Sequence, residues 1–390
     1  VTKYPNSGIF LSQEGFGGVP EPNGRMCDDV VIRNCHFIGV ATDGQTEPTM
    51  DMPDGYLLSG ENGQFATLAR CDTFTNADDM IIDVLFDNCR FEYSYDAGLF
   101  PSNRGDSGLG AINWTMRDCY FDSFGKFAVR SRGTNFTVER CIFRRTNQGN
   151  HGDGENSAVA QQTQGGNSPD STVANCLFVN CGGVYAKKPY YGGVRNHSGG
   201  FMHVNHCTFD LCNTGVSTGN GEETIVSNCI FNRIGYNQAS AVWYEGFPPE
   251  TDEPFPTWES ENFDAGWVAV FNNPNDMPFV VNNCIVNDLA DEDTRTWEET
   301  TELFGTRLYA GFPGDSDTVI RDDPGFANTD VTADDPYVLA EGSPAVDIAV
   351  EAEPAPGDMD IDGDARVVGG AADVGCQELA GAGIREWSLF

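Results

Sequence analysis

Basic side chains are scarce in this chain, so the place where they gather is informative. Against 59 Asp and Glu there are 22 Lys and Arg, and nine of these lie between residues 126 and 195: Lys126, Arg130, Arg132, Arg140, Arg144, Arg145, Lys187, Lys188 and Arg195. Four of the five His residues (His151, His197, His203 and His206) fall in nearly the same stretch, as do Tyr190 and Tyr191. Cations beside aromatic and imidazole groups suit an anionic partner, which they attract by charge and hold by hydrogen bonds. Arg132 and Lys187 are the candidates to act on such a partner. Arg130, Lys188, Tyr190, Tyr191, Arg195 and His197 are the candidates to bind it. The alternative is that these groups are solvated charges balancing an acidic surface. Nearby, "NHGDGEN" offers Asp153 and Glu155 as hard oxygen ligands for calcium. "DMDIDGDAR" places Asp358, Asp360, Asp362 and Gly363 like the opening of a calcium loop. Gly369 stands where the closing Glu would be, so the alternative there is a structural turn.

The overall charge narrows the partner classes. A formal net charge of −37 repels nucleic acid and anionic membrane surfaces. No apolar run is long enough to span a bilayer as a helix. The chain opens on Val1 and not Met, as expected of a processed or trimmed chain. Thirteen Cys is an odd number, so at least one thiol stays unpaired within the chain.

The elements that would position these groups are visible as a repeat. Eight Cys share one context: "VVIRNCHF" (Cys35), "VLFDNCRF" (Cys89), "WTMRDCYF" (Cys119), "FTVERCIF" (Cys141), "STVANCLF" (Cys176), "MHVNHCTF" (Cys207), "TIVSNCIF" (Cys229) and "FVVNNCIV" (Cys284). Three residues before each Cys stands an apolar residue, and two after it stands Phe, or Val in the last case. Alternation holds on each side of the phrase but slips by one residue between them. That slip predicts a strand, a corner and a second strand. Asn is the commonest residue at the corner and tolerates the left-handed backbone a sharp bend needs. Spacings of 22 to 55 residues predict an all-β fold, a right-handed parallel β-helix with variable insertions between coils. Identical positions then stack into Asn, Cys and Phe ladders, with Cys a small buried hydrophobe. Cys181 and Cys212, each five residues after a ladder Cys, are expected to stack as a second pair. A Cys27–Cys71 bridge is conceivable from sequence, with nothing to favour it.

Threading the coils by their Cys puts "FAVRSRG" (127–133), "SAVAQQT" (157–163) and "GVYAKK" (183–188) in one strand column. Arg132 and Lys187 then lie about 10 Å apart, two coils from each other. "PYYGGVRNHSGG" (189–200) is expected to be the loop above them, and the direction of Arg130 is left open by alternation. Residues 1–290 carry the coils, with an acidic insertion at 245–265. Residues 291–390 are expected to add C-terminal coils and a cap continuous with the helix. Within them "DEDTRTWEETTELFG" (291–305) reads as a helix.

Three phrases close the chain: "DDPGFAN" (322–328), "PYVLAEGSPAVDIA" (336–349) and "DIDGDARVVGGAADVGCQEL" (360–379). They resemble the C-terminal region of secreted bacterial right-handed parallel β-helix proteins, and the coils resemble the pectate-lyase-like superfold. The resemblance covers nearly the whole chain and implies fold and secretion, to the extracellular space or cell surface. It is silent on activity, because that architecture hosts lyases, hydrolases and adhesins alike. In the polysaccharide lyases of the superfold an Arg, Lys, Tyr or His takes the proton next to a uronate carboxylate, and a cation, often calcium, neutralises that carboxylate. No phrase here matches a lyase signature residue for residue. Two functions are therefore carried forward. The first is an extracellular structural protein whose copies stack end to end into a fibre or surface assembly. The second is a lyase, or a binding protein, for an anionic uronate-containing glycan.

Overall fold

The computed structural model describes residues 9–12, 29–38, 69–73, 82–94, 97–103, 112–124, 126–132, 135–146, 157–162, 169–182, 192–198, 200–220, 223–234, 268–272, 279–287, 298–303, 306–311, 319–329, 337–350, 359–367 and 371–379. Among them lie three sheets, of ten, eight and nine strands, in which the coil strands pair in parallel with the equivalent strands of neighbouring coils. The eight phrases bend from the second sheet into the third. Val30–Arg33, Ile82–Asp87, Ile112–Arg117, Phe136–Glu139, Asp170–Ala174, Phe201–Asn205, Glu223–Ser227 and Phe279–Asn282 form the second sheet in unbroken parallel register.

The corner lies where the slip in alternation puts it. Asn34, Asn88, Asp118, Arg140, Asn175, His206, Asn228 and Asn283 all have φ between 48° and 56°, the left-handed region that lets the chain turn within one residue. Immediately past it the ladder Cys points inward, and from Cys89 onward each is buried. The thiol is small enough for the corner and donates back to it: Cys207 Sγ to the Asn205 carbonyl at 3.2 Å and the Val173 carbonyl of the preceding coil at 3.6 Å. Burial pushes the Cys119, Cys141 and Cys176 thiols well above their ordinary pKa, as befits packing groups without nucleophilic character. Cys181 and Cys212 are also buried and stacked, donating to the carbonyls of Phe143 and Phe178. All eleven Cys among the described residues that are characterised are free thiols; Cys27 lies outside them, and the side chain of Cys71 is not described.

Two residues further on, the Phe rings stack face to face from Phe37 through Phe91, Phe121, Phe143, Phe178 and Phe209 to Phe231. Centroids lie 4.7–5.0 Å apart and interplanar angles at 5–11°. Each such pair adds roughly 0.5–1.5 kcal/mol beyond the area it buries. A second left-handed corner follows five residues after the first, at Ser123, Arg145, Asn180, Leu211 and Arg233, and turns the chain from the third sheet toward the first.

One C-terminal expectation changes. Residues 298–303, read as helical, form a strand that pairs antiparallel with Thr306–Gly311, which in turn pairs antiparallel with Val268–Asn272. The last coil strand of the first sheet offers an open row of amides and carbonyls, and the hairpin satisfies it. Beyond it, Val319–Arg321 adds one more parallel strand to the third sheet, against Cys284–Val286. The chain then leaves the coil path and runs back along the outside of the third sheet. Its apolar residues cover the outward column Ile142, Leu177, Thr208, Ile230 and Ile285: Tyr337, Ile361 and Cys376 pack with Ile142 and Leu177, while Leu339, Ala345 and Val374 pack with Ile230 and Ile285. The insertion 245–265 lies outside the described residues.

The outer face of the second sheet carries a different column. Val31, Leu85, Thr115, Thr137, Thr172, His203, Ile225 and Val280 follow one another over eight coils, all at least partly accessible.

Candidate functional site

The outer face of the first sheet holds three of the candidate residues. Val129, Val159, Val194 and Val216 stand in register on successive strands and face the core. Alternation from these valines turns the next column outward, so Arg130, Ala160, Arg195 and Ser217 line the opposite face. This settles the direction of Arg130. Arg130 and Arg195 occupy one column two coils apart, which separates their backbones by about 10 Å.

The strand that follows Val159–Gln162 is Val194–Ser198, within the segment expected to be a loop. The expected column of 127–132 with 183–188 is therefore replaced by 127–132 with 194–198. Two features set this register. Val194 continues the valine column. The glycines before it allow close approach, since a Cβ on Gly192 would sit 1.9 Å from the Thr214 carbonyl oxygen, and one on Gly193 2.6 Å from that of Gly215. Lys187, Lys188, Tyr190 and Tyr191 lie outside the described residues.

Within the site Arg130 Nε donates to Gln162 Oε1 at 2.8 Å, and Arg132 Nε reaches the same oxygen at 3.3 Å. The Arg130 guanidinium lies 4.9 Å from the Phe127 ring centroid and 5.2 Å from that of Phe100; Arg132 lies 5.3 Å from Phe100. These contacts, each worth roughly 0.5–2 kcal/mol, fix the direction of both cations. Phe100 and Phe127 with Ala97 and Ala160 form a small buried apolar patch under them. Arg130 and Arg195 are only 9% and 5% exposed, Arg132 is half-buried, and so is His197. The arrangement holds fixed positive charge. Its guanidinium groups stay protonated in proteins.

The calcium candidates divide. Asp153, Glu155 and Asp358 lie outside the described residues. Asp360 is buried and accepts backbone N–H bonds from Asp362 (3.0 Å), Asp364 (2.8 Å) and Glu378 (3.0 Å), while Asp362 accepts from the Gln377 amide. These bonds hold a turn. Among the described residues no group of three or more His, Cys, Asp or Glu is disposed to hold a metal ion.

Two further buried ionic groups lie at the second corner and in the returning segment. Asp210 accepts from Arg233, Asn232 and the Tyr337 hydroxyl, tying the second corner to the returning segment. Arg366 sits inside that segment, where it donates to the carbonyls of Asp373 and Gly375, touches His206 and faces Glu378 Oε1 at 3.3 Å. Burial pushes the Glu378 carboxyl up to about 8 against the pull of Arg366. Burial, together with Arg366, holds the His206 pKa well below its usual value. Arg366, Asp373, Gly375 and Glu378 all belong to the closing phrase at 360–379.

Comparison with known proteins agrees with the architecture. A family described as the right handed beta helix region matches residues 73–247, the coils that carry the site. The chain is a right-handed parallel β-helix. A solved structure titled "Crystal structure of pectate lyase Pel9A" aligns over 81% of this chain and 80% of its own, at 11% identity and a TM-score of 0.38. No curated protein matches the chain.

Proposed function

We propose that this is an extracellular β-helix that binds an anionic, uronate-type polysaccharide along the outer face of its first sheet. One observation carries the reading: Arg130, Arg132 and Arg195 gather on that face, two of them aimed by Gln162 and the rings of Phe100 and Phe127. A chain with a net charge of −37 repels polyanions over most of its surface, so the face where its scarce guanidinium groups gather is the one a polyanion would meet. Binding is the part of the polysaccharide reading that fixed guanidinium charge supports directly. The test is affinity electrophoresis in gels containing pectate or alginate, with Arg132→Gln and Arg195→Gln beside the parent chain. Retardation that falls in both variants and weakens with salt is expected. Equal mobility with and without glycan overturns the reading, and new unsaturated ends in the polymer would make the protein a lyase.

A second reading, a structural protein stacking end to end, is favoured by a different observation. In the first coil of the second and third sheets the core residues Val30, Ile32, Cys35 and Phe37 are only partly buried, whereas their equivalents Val84, Phe86, Cys89 and Phe91 are buried at 0–2% exposure. Partly exposed apolar positions of this kind favour contact with another chain. Negative-stain electron microscopy with and without a calcium chelator tests it: fibres with a repeat near one β-helix length are expected, and dispersed particles would remove this reading.

A further inference from the structure

We infer that the outer face of the second sheet is a two-fold interface between copies of this chain. The inference rests on neither functional reading above, since it needs no glycan and no contact at the ends of the cylinder.

The column from Val31 to Val280 contains no carboxylate, lysine or arginine over eight coils, in a chain with 81 such residues. It is also open. Val31 is 56% exposed and Val280 36%, and beside the column Phe201 is 37% exposed. The other large apolar side chains this exposed among the described residues, Val350, Met359 and Val367, all belong to the returning segment. Two copies carrying −37 each can approach closely only where charge is absent or neutralised, and this column provides such a place.

The flanks choose the symmetry. One edge is acidic, with Asp83, Asp170 and Glu223. At the other edge the charges cancel locally: Arg33 and Arg117 bond Asp87 at 2.6 and 3.4 Å, and Arg140 bonds Glu139 at 2.6 Å. A two-fold axis along the strands would set acidic edge against acidic edge. An axis along the cylinder crosses the edges, so the acidic edge of one copy meets the neutralised edge of its partner. The two copies then lie parallel, and each residue of the column faces its own counterpart.

Size is consistent with such a dimer. Seven steps of about 4.8 Å give a stripe about 34 Å long, and three outward columns span about 14 Å. That amounts to roughly 500 Å² per partner and about 1,000 Å² in total, at the lower bound for a specific interface and suited to a reversible association.

Sedimentation equilibrium of the full chain at low and high salt tests the proposal. Screening of the net charge should move the wild-type mass from 42.3 kDa toward twice that value as salt rises. Thr137→Lys/Thr172→Lys places lysines face to face across the axis and should weaken the dimer at least tenfold while leaving the thermal melt unchanged. Val280→Lys, at the far end of the stripe, should weaken it less, and Thr137→Val should keep it. Monomer at every salt concentration overturns the inference. So does a dimer, or an open-ended series of oligomers, that the lysine variants do not shift. Retention of monomeric wild type, but not of Thr137→Lys/Thr172→Lys, on a polysaccharide matrix would assign the stripe to a glycan and also overturn it.

Discussion

The two halves of the third sheet share one interior and present opposite exteriors. Inside, the Phe stack runs without a break from Phe37 to Phe231. Outside, the early coils carry an ionic mesh: His36 and Arg90 both bond Glu92 at 2.6 Å, Arg90 lies over Tyr120, and Arg145 bonds Asp122. The later coils carry Ile142, Leu177, Ile230 and Ile285, which the returning segment covers. The corner follows the same division. In the open half Asn88 donates to Asn34 and Arg140 to Asp118, one coil to the next. In the covered half Asn175, Asn228 and Asn283 donate to the Met359, Val350 and Ile348 carbonyls of the segment. The inward positions therefore set the coil, and the outward ones decide what lies on it.

The covered half should be the more fragile to single changes. Arg366→Met leaves the Asp373 and Gly375 carbonyls and the Glu378 carboxyl buried without their donor, and each buried bond left unmade costs about 1–3 kcal/mol. Denaturant unfolding with limited proteolysis is the check: cleavage should begin between 322 and 379 before the coils are attacked. Simultaneous loss of both regions would show that the segment is not a separate layer. Ile230→Ala, beneath the segment and next to Gly375, should cost about 2–4 kcal/mol through lost packing. A matching change on the open side, Arg90→Ala, should cost under about 1 kcal/mol. Equal costs at the two sites would erase the distinction.

This division also marks what could be read from sequence. The Asn-Cys-x-Phe phrase exposed the first corner and both ladders because one side-chain type recurs wherever space and backbone demand it. The second corner lacks such a type: Ser123, Arg145, Asn180, Leu211 and Arg233 share only their backbone. The first sheet was harder still, since its valines resemble any strand and the insertions before them vary in length. Sequence alone therefore reads the strand at Val194 as a loop and sets 183–188, not 194–198, in the column of 127–132. The covering of the third sheet had a readable trace, because the residue after Cys changes from His36, Arg90 and Tyr120 to Ile142, Leu177, Thr208, Ile230 and Ile285. An outward apolar column needs a cover, and the closing phrases supplied it.

The smallest expected effects distinguish the halves by pH. Glu378, with a folded pKa near 8 against an ordinary 4.5, stabilises the fold fully below 4.5 and loses that contribution as pH rises through 8. His206 is held neutral, so its contribution is present above 6.5 and lost as pH falls. The two oppose each other between about 4.5 and 6.5, and above that only the Glu378 term remains. Stability of the returning segment should therefore fall by about 1–2 kcal/mol between pH 6.5 and 8, and Glu378→Gln should remove the fall. Asp87 in the open half runs the other way. Although burial raises its pKa, hydrogen bonds from Arg117 and Arg33 lower it more, so its contribution is present above 3.8 and disappears in acid. Arg33 is 55% exposed, so Arg33→Ala should cost only about 0–1 kcal/mol, and less in high salt. Hydrogen exchange resolved along the chain can follow both regions in one titration. Opening of 359–379 toward alkaline pH, with protection of 82–94 lost toward acid, is expected. Parallel loss of both in the same direction would show that the segment and the early coils titrate as one body.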